Sequence, residues 1–321
     1  MKRLKLVNIA SLGLDPATDH FSPFTVDRYT FHSQVPADTT PTIVYTAKMA
    51  SQVNRIHRQN AYVEFDGKQD DSIIFRGGLQ GSPWRPQKRK HIEDILLLGS
   101  LLTGRNWSLH SRRHHATFPV VPVNHLRAVS EFHSELAGDL AALVTRIKNL
   151  SWQTQFDNGF NLISLLNKAN ILNNESRFLS DVVLWELIYS KLFAKESDNL
   201  HIVIRDVLVF YWPGRVDAAV FQSGKVGGVS KNIIYVLRNQ LAHSGRLPIN
   251  RPYADDWMKK IPVENPPGSF KTTLYDYMSF FGDLTQVIVL KTLDFHAEGR
   301  QGLSIFNFKT RLESFLASGR I

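Results

Sequence analysis

The sequence predicts an α+β chain: a small, mostly β N-terminal domain over residues 1–150, then an all-α helical bundle over residues 151–321. Two observations carry this reading. Up to about residue 80, short runs of β-branched and aromatic residues alternate with clusters of turn formers. From Ile92 onward, long stretches instead repeat their apolar residues at helical spacing. The 321 residues suffice for two domains of ordinary size, and 43% hydrophobic residues, with 20 Phe and 6 Trp, supply a core.

Taken in order, the expected strands are Lys5-Leu-Val-Asn-Ile-Ala, Thr42-Ile-Val-Tyr-Thr-Ala, Ala61-Tyr-Val-Glu-Phe and Ser72-Ile-Ile-Phe-Arg, which together make a small antiparallel sheet. Turn clusters such as Asp15-Pro-Ala-Thr-Asp and Asp66-Gly-Lys-Gln-Asp-Asp separate them. Arg76-Gly77-Gly78-Leu-Gln-Gly81 carries three glycines but lacks the Lys-Ser/Thr ending of a phosphate loop, and it reads as a turn. The densest basic run follows, Pro83-Trp84-Arg85-Pro86-Gln-Lys88-Arg89-Lys90-His91. It has the make-up of a phosphate-contacting patch with Trp84 available to stack on a base, and equally that of a solvated loop leading into a helix. Ile92-Glu-Asp-Ile-Leu-Leu-Leu-Gly-Ser-Leu-Leu opens with acids, as the helix dipole favours, and is apolar nearly all round, so a buried helix is expected. Arg112-Arg113-His114-His115, with His110 and His125 nearby, reads as a basic strip. No Asp or Glu lies between Asp94 and Glu131 to complete a ligand set with these histidines, so no metal is expected there.

A helical pattern with a break at Gly138 runs from Leu126 to Leu150, and the polar Ser151-Trp-Gln-Thr-Gln-Phe-Asp-Asn marks the domain boundary. Helices are expected over 158–170 and 177–195, joined by the polar Asn173-Asn174-Glu175-Ser176. The apolar run Leu200-His-Ile-Val-Ile-Arg-Asp-Val-Leu-Val-Phe-Tyr-Trp follows, ended by Pro213-Gly214 and a loop. Four prolines make 250–269 an irregular excursion, a long apolar helix runs from Phe270 to Phe295, and a short amphipathic one ends the chain.

Whole-chain features bound the function. There are no cysteines, which removes disulfides, thiol nucleophiles and Cys-ligated zinc and fits a reducing cytoplasm. No run approaches the apolar length of a membrane span, and the basic N-terminus lacks a signal-peptide core, so a cytoplasmic protein with no membrane partner is expected. No cofactor is indicated. The net charge is +9, with an excess of +6 in residues 1–150 and +4 in residues 201–250, which suits a polyanionic ligand.

One helix stands apart. In Ser230-Lys-Asn-Ile-Ile-Tyr-Val-Leu-Arg238-Asn239-Gln-Leu-Ala-His243-Ser-Gly245-Arg246, Gly227 and Gly228 break the preceding chain and Ser230 is placed to cap the first turn. Ile233, Ile234, Leu237 and Leu241 form an apolar face, and Gly245 fits the left-handed position that ends a helix. Arg238, Asn239 and His243 crowd the last two turns, away from that face: a guanidinium fork, an amide and an imidazole within reach of one ligand. On spacing alone, an ordinary exposed helix end fits as well.

Arg238-Asn239-Gln-Leu-Ala-His243 resembles the Arg-polar-x-x-x-His motif of the HEPN superfamily, and Leu-Arg-Asn-x-Leu-Ala-His-Ser-Gly is most similar to the helix of ApeA-like HEPN proteins of bacterial anti-phage defence. The motif covers about ten residues; the wider likeness, helical from about 155 to 298, is looser. The resemblance implies a HEPN bundle, a metal-independent endoribonuclease of toxin or defence type, and a homodimer whose paired units complete the active site. It implies catalytic roles for Arg238, Asn239 and His243. HEPN proteins also carry an acidic or polar residue on an earlier helix that orients the motif, a role the resemblance gives to Glu186 or Asp181; the residues alone read as an exposed face. RNA contacts are expected from Trp84, Arg85, Lys88, Arg89, Lys90, Arg112, Arg113 and Arg246. The alternative is a non-catalytic HEPN unit that binds nucleic acid or scaffolds other defence-system subunits.

Overall fold

A computed structural model describes residues 3–8, 23–32, 62–65, 71–74, 91–103, 108–109, 134–151, 174–197, 199–217, 225–226, 229–230, 233–245, 270–295 and 308–318. The chain is α+β. Its described elements fall into two compact units, those from Arg3 to Ser151 and those from Asn174 to Ser318.

In the first unit five strands, β1 (Arg3–Asn8), β2 (Phe24–Val26), β3 (Tyr29–His32), β4 (Tyr62–Phe65) and β5 (Ser108–Leu109), lie in the order β2-β3-β4-β1-β5, with every pairing antiparallel. Helices α1 (His91–Thr103) and α2 (Ser134–Asn149) pack on one another, α2 also against β2 and α1 against β5. Val26, Tyr29 and Phe31 alternate inward from the β2–β3 hairpin and meet Val63 and Phe65 of β4 in the core. Of residues 91–102 in α1, all but Glu93 are buried, as its unbroken apolar surface predicts. Gly138 does not interrupt α2, where it lies on the exposed side.

The β2–β3 hairpin was not legible as a strand pair, although Phe24-Thr-Val and Tyr29-Thr-Phe alternate around a two-residue turn. Asp27 in that turn has φ +53°, a left-handed position that Asp tolerates better than most side chains. Its carboxylate ties the hairpin to both helices: Lys148 Nζ donates to Oδ2 at 2.6 Å, and His91 Nε2 lies 2.9 Å from the same oxygen. The other ring nitrogen of His91 is 3.0 Å from the Asp71 carbonyl oxygen.

The expected strand at Ser72–Arg76 does not form over the described residues 71–74, where only Asp71 makes a bridge. The reason is a competitor for the backbone donors. Asp94, fully buried in the first turn of α1, accepts from Ile73 N–H at 2.8 Å and Ile74 N–H at 3.2 Å, so these amides serve a carboxylate and not a neighbouring strand. The expected elements at 42–47 and 158–170, and the excursion at 250–269, lie outside the described residues.

The second unit is helical: α3 (Asn174–Phe193), α4 (Leu200–Tyr211), α5 (Ile233–Ser244), α6 (Phe270–Thr292) and α7 (Phe308–Ser318), with a two-stranded hairpin, β6 (Lys225–Val226) and β7 (Val229–Ser230), just before α5. Helix α3 begins earlier than expected, taking in Asn174-Glu175-Ser176, with Glu175 in the first turn where the dipole favours an acid. It ends at Phe193, after which Ala194 turns left-handed at φ +51°. Helix α4 starts with the Asn199 side chain accepting from His201 N–H at 3.0 Å, an N-cap bond.

The longest seam joins α3 to α6. Trp185 and Phe281 stack with centroids 5.2 Å apart, Phe178 lies 5.3 Å from Phe281, and the buried Trp185 indole N–H donates to Thr285 Oγ1 at 2.8 Å. Thr285 passes the bond on, its hydroxyl donating to the Phe281 carbonyl at 2.7 Å. Phe308 and Phe315 of α7 lie 5.7 and 5.4 Å from Phe280 on another face of α6. Arg215 pairs with Glu313, and Asp217 N–H donates to Leu316 O at 3.1 Å, so the chain after α4 is fastened to α7.

Two outcomes are expected. Thr285→Val leaves the buried Trp185 N–H without its acceptor and lowers unfolding free energy by about 1–3 kcal/mol in urea melts, part of which the added Trp185→Phe restores. Burial alone would raise the Asp27 pKa, but the hydrogen bonds from Lys148 and His91 outweigh it and hold the carboxyl below its ordinary value of 3.8. A lowered folded-state pKa stabilises above the unfolded value and is lost on acidification. Wild type is therefore expected to exceed Asp27→Asn in stability near neutral pH, with the gap closing as pH falls through and below 3.8 in pH-dependent urea titrations.

Candidate functional site

The motif helix is shorter at its start than the sequence suggests. Ser230 is not its cap: Val229–Ser230 pairs with Lys225–Val226 as an antiparallel hairpin, and α5 begins at Ile233. Gly227-Gly228 is the pair of residues between those strands, the composition a two-residue hairpin connection favours, and here that pairing outcompetes the helix. The other end is as expected. Gly245 has φ +66° and its N–H donates to Leu241 O at 2.9 Å, the single bond of a left-handed helix stop.

Ile234, Leu237 and Leu241 are buried, and α5 packs with them against α3, α6 and β7. The three chemical side chains do not share one side of the helix as the sequence reading has it. At about 100° per residue, Arg238 sits about 70° from the middle of the buried stripe and is half-buried at its border. His243 lies about 140° further round and is exposed. Asn239, about 100° from Arg238, falls between them. One side-chain bond links the first two: Arg238 Nη1 donates to Asn239 Oδ1 at 3.0 Å. Guanidinium, amide and imidazole thus follow one another round the last two turns of α5.

Helix α3 carries both acids assigned a supporting role, and it packs on α5. Asp181 is 3% exposed, which corrects the reading of an exposed face. Its Oδ2 lies 3.8 Å from Arg177 Nε one turn earlier, and Arg177 in turn lies over Gly282 of α6, where an added Cβ would come within 3.2 Å of the guanidinium. Glu186 is half-buried on the same helix. Arg177 was not singled out from the sequence, although its i,i+4 spacing to Asp181 is the usual mark of a helical ion pair.

Trp84, Arg85, Lys88, Arg89, Lys90, Arg112, Arg113 and Arg246 lie outside the described residues, as do His110, His114, His115 and His125. Among the described residues no group of three or more His, Asp or Glu side chains is placed to hold a metal ion, and no helix is long and apolar enough to cross a membrane. Comparison of the chain with protein-family models, curated proteins and solved structures finds no match.

The helix stop generates a direct expectation. A Cβ at Gly245 would meet nothing within 4 Å, so Gly245→Ala is penalised by backbone conformation alone. It is expected to lower unfolding free energy by about 1–2 kcal/mol, and Gly245→Asn by less, in parallel thermal melts.

Proposed function

We propose that the second unit is a HEPN-like helical bundle and that the protein is a metal-independent endoribonuclease acting through Arg238, Asn239 and His243. The observation that carries the reading is the linked series on α5: a half-buried guanidinium bonded to Asn239, with an exposed imidazole in the next turn. The local excess of positive charge in residues 201–250 fits a phosphate substrate.

The reaction is attack of a ribose 2′-OH on its own 3′-phosphate. The bond from O2′ to phosphorus forms, the bond to the 5′-oxygen breaks, and the products carry a 2′,3′-cyclic phosphate and a 5′-OH. This requires a base for the 2′-OH proton, an acid for the leaving oxygen, and positive charge on the phosphorane. His243 supplies an acid or a base, and Arg238 supplies charge in a fork that matches two phosphate oxygens. One α5 offers one imidazole in this series, so a second copy facing it completes the acid–base pair, which makes the working unit a homodimer. Cellular RNA and a role in anti-phage defence or as a toxin follow from the motif's resemblance.

The test is cleavage of single-stranded RNA in EDTA. Wild type is expected to cut and leave cyclic phosphate ends, and His243→Ala and Arg238→Ala are each expected to lose at least about a hundredfold in rate. Induction of the wild type should also slow growth, and His243→Ala should relieve it. Cleavage that survives both substitutions, or stops in EDTA, overturns the reading; a wild type that binds RNA without cutting it points to a scaffolding unit instead.

A further inference from the structure

We infer that Asn239 is a positioning residue for Arg238, the strut that carries the guanidinium round the helix toward His243. The inference rests on the ribonuclease reading for its substrate, but its geometry stands on the fold. Helix spacing sets the problem: Arg238 leaves α5 at the border of the buried stripe, about 140° from His243, so the two heads do not converge by backbone placement. Asn239 lies between them in azimuth, and the Arg238 Nη1 to Asn239 Oδ1 bond of 3.0 Å draws the guanidinium to that side.

The amide's orientation follows from donor count. Arginine has five N–H donors and no acceptor, so the Asn239 atom facing it must be the carbonyl oxygen. The Nδ2 amino group is then turned away from Arg238. Asn239 and His243 are i,i+4 neighbours, so an Asn239 that served the imidazole directly would also be sterically reasonable. In the structure its acceptor is committed to the guanidinium. Arg238 keeps its remaining donors for a phosphodiester, presented near the imidazole that would act on the same nucleotide.

The consequence is coupling between residues 238 and 239 in phosphate recognition, independent of the acid–base step. The experiment is a double-mutant cycle on affinity for a single-stranded RNA whose 2′-OH groups are methylated, which cannot be cleaved. Asn239→Ala is expected to weaken binding about tenfold, as loss of a charge-assisted hydrogen bond would. Added to Arg238→Ala, it should change nothing further. Asn239→Gln, which keeps the carbonyl on a longer arm, should recover part of the loss. In cleavage assays Asn239→Ala should leave the position of the kcat–pH profile unmoved, because the imidazole is untouched. A ligand-free check is the Arg238 guanidinium in nitrogen-15 NMR: slowed rotation in wild type and in His243→Ala, free rotation in Asn239→Ala.

Additive effects of the two alanine substitutions, or a displaced pH profile, overturn the inference in favour of a role through His243. So does a freely rotating guanidinium in the wild type. The outcomes separate from those of the function itself. A wild type that cuts RNA with additive effects keeps the ribonuclease and loses the strut. A wild type that never cuts, yet shows the coupling in binding and in NMR, keeps the strut and loses the ribonuclease.

Discussion

A buried indole N–H has to find an acceptor, and in the second unit that requirement fixes how its two longest helices meet. Trp185 sits deep in α3 and Thr285 in α6, 2.8 Å apart through their polar atoms. The bond exists only at one rotation and one axial offset of the two helices, which apolar packing alone would leave more degenerate. Phe281, stacked on the same indole, and Gly282, under the Arg177 side chain, are then held in the same register. Helix α5 adds a narrow stripe of Ile234, Leu237 and Leu241 to this pair. Three buried aliphatic side chains bind a helix but do not orient it sharply, so the placement of Arg238 and His243 is inherited from the α3–α6 seam.

Acidic residues play the corresponding part in the first unit. Asp94 takes two backbone N–H groups that would otherwise need a strand partner, and Asp27 gathers an imidazole and an ammonium on one oxygen. Each is a short side chain at the edge of regular secondary structure, Asp94 in the first turn of α1 and Asp27 in the β2–β3 turn. Between them they fasten residues 73–74 and the β2–β3 turn to the helices, so a sheet of short strands is braced by charge as well as by its apolar face.

Much of this was open to reading from residues, and the failures have definite causes. Unbroken apolar periodicity identified α1 and α6 closely, because a helix buried on most sides has few alternatives. Gly245 announced the end of α5, since few residues other than glycine sit easily at positive φ. Ser230 misled because capping chemistry is local, whereas the strand pairing that claims it involves residues on the far side of Gly227-Gly228. Ser72–Ile74 misled for the opposite reason: its β-forming composition is real, but a carboxylate distant in sequence took the donors. For the candidate site, the residue types were legible but the azimuths were not: Arg238 looks nearer to the Asn239–His243 pair than 100° per residue allows. Three polar residues within two turns look convergent until the helix is rotated residue by residue, which spreads them over about 140°.

The two ends of α5 also restrict how the chain can change in length. The β6–β7 pairing stops at Ser230 and the left-handed Gly245 follows Ser244, so the helix is clamped within one short span. Within the helix, one residue inserted between Asn239 and His243 would swing the imidazole about 100° further round, toward the flank occupied by Leu237. A deletion there would rotate it the other way, out of step with Arg238 and Asn239. The spacing from arginine to histidine is therefore a mechanical dimension of the helix, set by its turn and not by the connections outside it.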